Sequence, residues 1–253
     1  MSRMVDSKKQ ADRRNFLLQA GLAGVASLAP AEHSGASTAG AAAAASGAAV
    51  VGAAAANPGA DTYLSLGPDE AAFIEALVNV MCPADELSPS GVDCGLAVYI
   101  DRQLAGPYGK GDGRYQRGPF RQGKPQLGLQ LPLTPEQFCK AGIAAVDAAC
   151  VRDRGAPFAA LGAAQADAVL VDIAGGRVAD ERLSLTSWFN DIVYPLFVEA
   201  CFADPMYGGN RNAVFWKMIG YPGLPANHAI DMVRYRGKPY PGAGSPKSIG
   251  DFA

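Results

Sequence analysis

Five cysteines and two histidines set the first limits on the chemistry open to this chain. Cys82, Cys94, Cys139, Cys150 and Cys201 contain no Cys-x-x-Cys, so neither a covalent haem site nor a run of iron–sulfur ligands is written here. His33 lies near the N-terminus, which leaves His228 as the imidazole of everything that follows. No motif supports a zinc site or a Ser-His-Asp triad built on His228, and a packing or surface role in the tail is the simpler reading. The paired acids Asp85 and Glu86 sit in a Pro-Ala-Asp-Glu turn, where capping or solvating a helix end accounts for them. A dinucleotide site needs Gly-x-Gly-x-x-Gly between a strand and a helix. Gly109-Lys110-Gly111-Asp112-Gly113 comes nearest, with the wrong spacing and no strand before it, and reads as a loop.

The thiols fit a structural role in an oxidising compartment. Cys82 and Cys94 flank a turn between two helices, and a disulfide there is expected to stabilise by roughly 3 kcal/mol. Cys139 and Cys150 fall on one helix, where eleven residues at 1.5 Å rise place them ~16 Å apart, beyond disulfide reach. Either is a buried thiol or a partner for Cys201, and an odd count leaves at least one cysteine unpaired within the chain.

The compartment is suggested by DRRNFLLQAGLAG at 12–24. Arg13 and Arg14, followed by Phe16, Leu17 and a weakly apolar Gly/Ala-rich stretch, have the form of a twin-arginine export signal. The stretch 16–29 is shorter than the ~20 apolar residues that span a bilayer. Ala29-Pro30-Ala31 offers a cleavage site, with a later one near Ala54-Ala55-Ala56 as the alternative. Such signals carry proteins already folded, commonly with a cofactor loaded, yet no cofactor motif is found in this chain. Lys and Arg number 22 against 24 Asp and Glu, and beyond residue 31 the balance is 17 to 22, a net charge of −5. That mild acidity excludes nucleic acid as a partner.

The elements that must position these residues read as all-α. Residues 1–31 are the signal, and 32–60 form an Ala/Gly-rich linker too poor in bulky side chains to fold alone. Residues 61–223 then make a single irregular helical domain of five to seven helices with long loops. Gly67-Pro68-Asp69-Glu70 starts the first helix, whose apolar face is Phe73, Ile74, Leu77, Val80 and Met81. Val92, Leu96, Tyr99, Ile100 and Leu104 repeat the pattern, and 106–132 is a long loop. Thr134-Pro135-Glu136-Gln137 is a capping box opening a helix through Cys139, Ile143, Val146 and Cys150. Another starts at Gly162-Ala163 and stops at Gly175-Gly176; a further one covers about 184–202, with Pro195 expected to kink it. The last short helix is expected around 213–219, and from 220 onward, including the tail 224–253, the chain is Gly/Pro-rich and wraps over a surface of its own or of a partner.

One segment stands out. Asp204-Pro205-Met206-Tyr207-Gly208-Gly209-Asn210-Arg211 joins two helices and leads to Trp216. It reads equally as an internal corner, with Trp216 buried and Asp204 and Asn210 satisfying turn amides, or as a partner-contacting surface. Asn210 is placed to cap the second helix.

Taken together, LGPDEAAFIEALVNVMCPADEL at 66–87, YIDRQLAGPYG at 99–109, QLPLTPEQF at 130–138 and FADPMYGGNRNAVFWKMIGYPG at 202–223 resemble the small (gamma) subunit, or subunit 3, of membrane-bound gluconate 2-dehydrogenase. The resemblance covers about 62–223; the cysteines, the long Ala-rich linker and Pro195 depart from it. It implies a three-part periplasmic complex at the inner membrane. An FAD-containing dehydrogenase large subunit oxidises the sugar acid or polyol, and a multihaem cytochrome c subunit passes electrons to quinone. The small subunit carries no redox centre of its own and supports folding, stability and export of the flavoprotein through the twin-arginine translocase. No catalytic residue is implied for this chain. Two other readings stay open: a stand-alone enzyme using His228 or Asp85 and Glu86, and a helical binding module unrelated to redox chemistry.

Overall fold

Pro68 fixes its own φ just after an extended Gly67 (φ −71°, ψ 170°), and Glu70 reaches back to accept the Gly67 N–H at 2.8 Å. Helix α1 (Pro68–Met81) follows, in a computed structural model that describes residues 62–121, 123–124, 131–225 and 227–252. The export signal and the linker lie outside the described residues. Phe73, Ile74, Leu77 and Val78 of α1 are buried, with Val80 and Met81 packed at the edge of the core.

Helix α2 (Leu96–Ala105) turns Leu96, Tyr99, Ile100 and Leu104 inward, while Val92 belongs to the turn before it. The expected loop 106–132 contains a helical turn, α3 (Pro107–Lys110), seated on α2. Helix α4 (Pro135–Arg154) opens on the capping box read from its sequence. Thr134 Oγ1 accepts the Gln137 N–H at 3.2 Å, and Gln137 Oε1 accepts the Thr134 N–H at 3.0 Å. Helix α5 (Ala163–Ala174) buries Ala166, Val169, Leu170 and Ile173.

The next helix, α6, runs over 185–202 in three registers: Leu185–Ser187, a π segment Trp188–Val193, and α-helix again over Tyr194–Phe202. The widened turn comes directly before Tyr194-Pro195, where an ordinary α-turn would crowd the proline ring against the carbonyl four residues back. The same π segment puts Trp188 at the centre of the fold. Its Nε1–H donates to the Cys139 carbonyl at 3.0 Å, and its ring lies on Gly142, where any Cβ would collide with the indole. Phe73 meets it edge-on at 6.1 Å and stacks against Phe158 at 4.6 Å. Burial of each such ring contributes about 1.5–3 kcal/mol.

Helix α7 (Val214–Ile219) ends at Gly220. Beyond it, where the sequence shows no apolar periodicity, the tail still forms helix α8 (Ala229–Arg234) and two 3-10 turns, Pro241–Gly244 and Ile249–Phe252. The fold is all-α: no strand occurs among the described residues, and the one β-like feature is an isolated bridge between Gly223 and Lys247. Helix α2 packs along the second half of α6, α4 along its π segment, and α1 against α5 and the Phe158 turn.

Candidate functional site

The 202–216 segment is built to hold an improbable backbone path. Asp204 accepts the Met206 N–H at 3.0 Å and so caps a 3-10 turn, Pro205–Tyr207. Gly208 then takes φ +100°, which excludes a side chain at low cost, while Gly209 is required for a different reason. A Cβ there would lie 2.5 Å from the Ala200 carbonyl oxygen, so the glycine pair lets the corner settle directly on α6. Asn210, Asn212 and Ala213 all have positive φ, at 44°, 58° and 51°. Such strain persists only where neighbours hold it.

Asn210 is the holder. Fully buried, it donates its side-chain N–H to the Ala203 carbonyl at 3.1 Å and accepts the Phe215 N–H at 3.0 Å. Its side chain thus ties the end of α6 to the first turn of α7, although the residue in the N-cap position of α7 is Ala213 rather than the expected Asn210. The Arg211 N–H donates to the Cys94 carbonyl at 3.1 Å and fastens the corner to the start of α2. Trp216 is buried, donating its indole N–H to the Phe202 carbonyl at 2.8 Å. As an exposed anchor Trp216 is therefore excluded; Met206 and Tyr207, by contrast, are 49% and 47% exposed. Asp204 also reaches the tail, accepting the Ser248 hydroxyl at 2.6 Å and the Ile249 N–H at 2.9 Å. Burial alone would raise the Asp204 carboxyl, but these donors outweigh it and hold it below its ordinary value.

A second cluster, with no local signature in the sequence, lies where the chain enters the domain. Asp101 of α2 is buried and its carboxylate accepts three successive backbone N–H groups, Leu64 at 2.7 Å and Ser65 and Leu66 at 2.9 Å. Around it, Glu136 accepts from the Ser65 hydroxyl and from Lys110, both at 2.6 Å, and Lys140 donates to the Ser65 carbonyl at 2.6 Å. Burial works to raise the Glu136 carboxyl; the hydrogen bonds from Lys110, Ser65 and Lys140 win and bring it down to about 2. Only a rule linking Asp101 to amides 35 to 37 positions away would have found this clasp, and no spacing motif encodes that.

The expected Cys82–Cys94 bridge is not formed: all five cysteines are thiols. Cys82 and Cys94 both reach the Pro89 carbonyl, at 3.9 and 3.7 Å, so the turn brings the two sulfurs near each other but each is held by that acceptor rather than by a covalent bond. Burial, then the neighbouring Cys82, pushes the Cys94 thiol up to about 11, and burial pushes Cys139 up to about 12. Cys201 is raised too, by burial first and then by Cys82 and Cys94.

The remaining candidates for chemistry are occupied in holding turns. Asp85 accepts the Leu87 and Ser88 N–H groups, each at 2.9 Å, and Glu86 is exposed beside it. His228 has one ring nitrogen 3.1 Å from the Gly223 carbonyl and the other 3.5 Å from Asp231, so neither is aimed at a hydroxyl or thiol nucleophile. It lines a cleft of about 300 Å³ with Asp231, Tyr235, Lys238 and Tyr240. Among the described residues, no three His, Cys, Asp or Glu side chains are grouped to hold a metal ion.

The chain belongs to the gluconate 2-dehydrogenase subunit 3 family, which it matches over residues 68–223, well over half of its length. No match was found among curated proteins or among solved structures. The matched region ends at Gly223, so α8 and the strap that Asp204 holds lie beyond it.

Proposed function

We propose that this chain is the non-catalytic small subunit of a periplasmic, membrane-bound sugar-acid dehydrogenase of the gluconate 2-dehydrogenase type. An FAD-bearing large subunit performs the oxidation and a multihaem cytochrome c removes the electrons. This chain supports folding and stability of the flavoprotein, and Arg13-Arg14 serves as the export address for both. The observation that carries the reading is the character of the corner. Its polar groups are spent on internal hydrogen bonds, yet Phe202, Met206, Tyr207, Met218 and Tyr221 in and after it stay between 40% and 49% exposed. Half-exposed Met and aromatic residues on a rigid frame are the composition of partner anchors rather than of a catalytic site.

Co-expression with the flavoprotein followed by affinity capture tests it. Met206→Glu combined with Tyr207→Glu is expected to lower recovery of the flavoprotein at least tenfold while the circular dichroism of the chain is unchanged. Full recovery with the double variant, or oxidation of gluconate by this chain alone with an artificial acceptor, contradicts the reading.

A further inference from the structure

The loop after α3 carries a charge opposite to that of the rest of the protein. Between Asp112 and Glu136 the sequence has no acidic residue, but it has Arg114, Arg117, Arg121 and Lys124. Setting those four aside, the chain beyond residue 31 holds 13 basic and 22 acidic residues. The loop is one of two acid-free stretches with four cations on an acidic molecule; the other, 232–250, holds Arg234, Arg236, Lys238 and Lys247.

The stem of this loop is hydrogen-bonded and its cations are exposed. Lys110 is bound to Glu136 at 2.6 Å, and the Gln116 side chain donates to the Lys110 and Gly111 carbonyls at 3.2 and 3.3 Å. Beyond that stem, residues 112–121 and 123–124 are exposed, and among the described residues Arg114, Arg117, Arg121 and Lys124 make no ion pair. Two aromatic rings are interleaved with them: Tyr115 is 78% exposed and Phe120 is 38% exposed. Neither ring has a place in the core.

We propose that this loop is a docking surface for an anionic phospholipid bilayer. Cations spaced three or four residues apart on an irregular backbone lack the fixed, shape-complementary core that a protein interface needs. They suit a laterally fluid sheet of phosphate headgroups, and the Tyr and Phe rings suit the boundary between headgroup and acyl chain. Among the described residues no helix is long and apolar enough to cross a membrane. Repulsion between the lipid and the acidic remainder does not prevent it. At physiological salt the Debye length is about 8 Å, so the outermost cations are felt and charges deeper in the molecule are screened. Each Lys or Arg near such a surface strengthens binding about fivefold.

Vesicle co-sedimentation of the full chain tests this without the flavoprotein, so its outcome is independent of the escort reading. The probes are vesicles of phosphatidylcholine alone and vesicles containing phosphatidylglycerol. Because the leader is itself basic, the measurement is made with Arg3, Lys8, Lys9, Arg13 and Arg14 all changed to Gln. Binding is expected to the anionic vesicles only, to weaken as salt is raised, and to fall on the order of 100-fold in Arg114→Gln/Arg117→Gln/Arg121→Gln. Tyr115→Ser, which leaves the charge intact, is expected to weaken binding by a smaller factor. Equal binding to both vesicle types, unchanged binding of the triple variant, or a triple variant that keeps its lipid binding but loses an acidic partner protein overturns the proposal.

Discussion

The Asp204 carboxylate and the Ser248 hydroxyl, 44 positions apart in sequence, meet at 2.6 Å and strap the C-terminal tail onto the corner that follows α6. A second fastening runs alongside: the Leu224 N–H donates to the Lys247 carbonyl at 2.8 Å and the Lys247 N–H to the Pro222 carbonyl at 3.0 Å. Ser248→Ala removes one partner of a partly exposed bond and is expected to cost about 1 kcal/mol, Asp204→Ala about twice that. The sharper readout is limited proteolysis: cleavage within 240–252 should accelerate in both variants while the helical core stays resistant.

Asp101 sets the geometry at the other end. Its replacement by Ala leaves three backbone N–H groups at 64–66 without an acceptor in a half-buried site, each worth about 1 kcal/mol or more. Urea unfolding should show a loss of about 2–4 kcal/mol, and hydrogen exchange of Leu64, Ser65 and Leu66 should rise well beyond the global change. Asp101→Asn keeps the shape with a weaker acceptor and is expected to fall between the two.

The pH dependence has two separate limbs. The Glu136 carboxyl is held near 2 in the fold against an ordinary 4.5, so its contribution is complete above about 4.5 and is lost as the pH falls towards 2. The thiols act at the other end. Cys94 and Cys139 are raised to about 11 and 12 from 9.0, so the unfolded chain sheds those protons first and stability declines once the pH passes 9. Denaturant midpoints between pH 3 and pH 10.5 should show a plateau in the middle and a fall on both sides. At pH 8 only about one Cys94 thiol in a thousand is ionised, so alkylation of the native protein should be slow and that of the unfolded protein fast.

What the sequence discloses about this fold divides along the range of the interaction. The start of α4 is legible because Thr134, Pro135 and Gln137 lie within one turn and interact only with each other. The corner is legible in part: Asp204 caps the neighbouring Met206 amide as its type implies, whereas Asn210 reaches Phe215, five residues on, instead of capping the helix start. The π segment is a tertiary effect, since it suits both Pro195 and the seat of Trp188 on Gly142, which is 46 residues away in sequence. Helix α8 gave no signal because Ile230, Met232 and Val233 are 70–79% exposed, and a helix without a buried face has no apolar period. The Asp101 clasp is silent for the same reason as the Asp204 strap: the carboxylate and its donors are far apart in the chain. The cysteines misled because a thiol and half a disulfide are the same residue in a sequence.

We propose that this chain carries a flavoprotein across the membrane rather than catalysing a reaction itself. The most direct measurement is the location of the flavoprotein when it is co-expressed with the full chain bearing Arg13→Lys and Arg14→Lys. The account predicts that the flavoprotein then accumulates in the cytoplasm with its FAD bound, while the unaltered chain brings it to the periplasm. Normal periplasmic flavoprotein in the presence of the Lys-Lys variant contradicts the account.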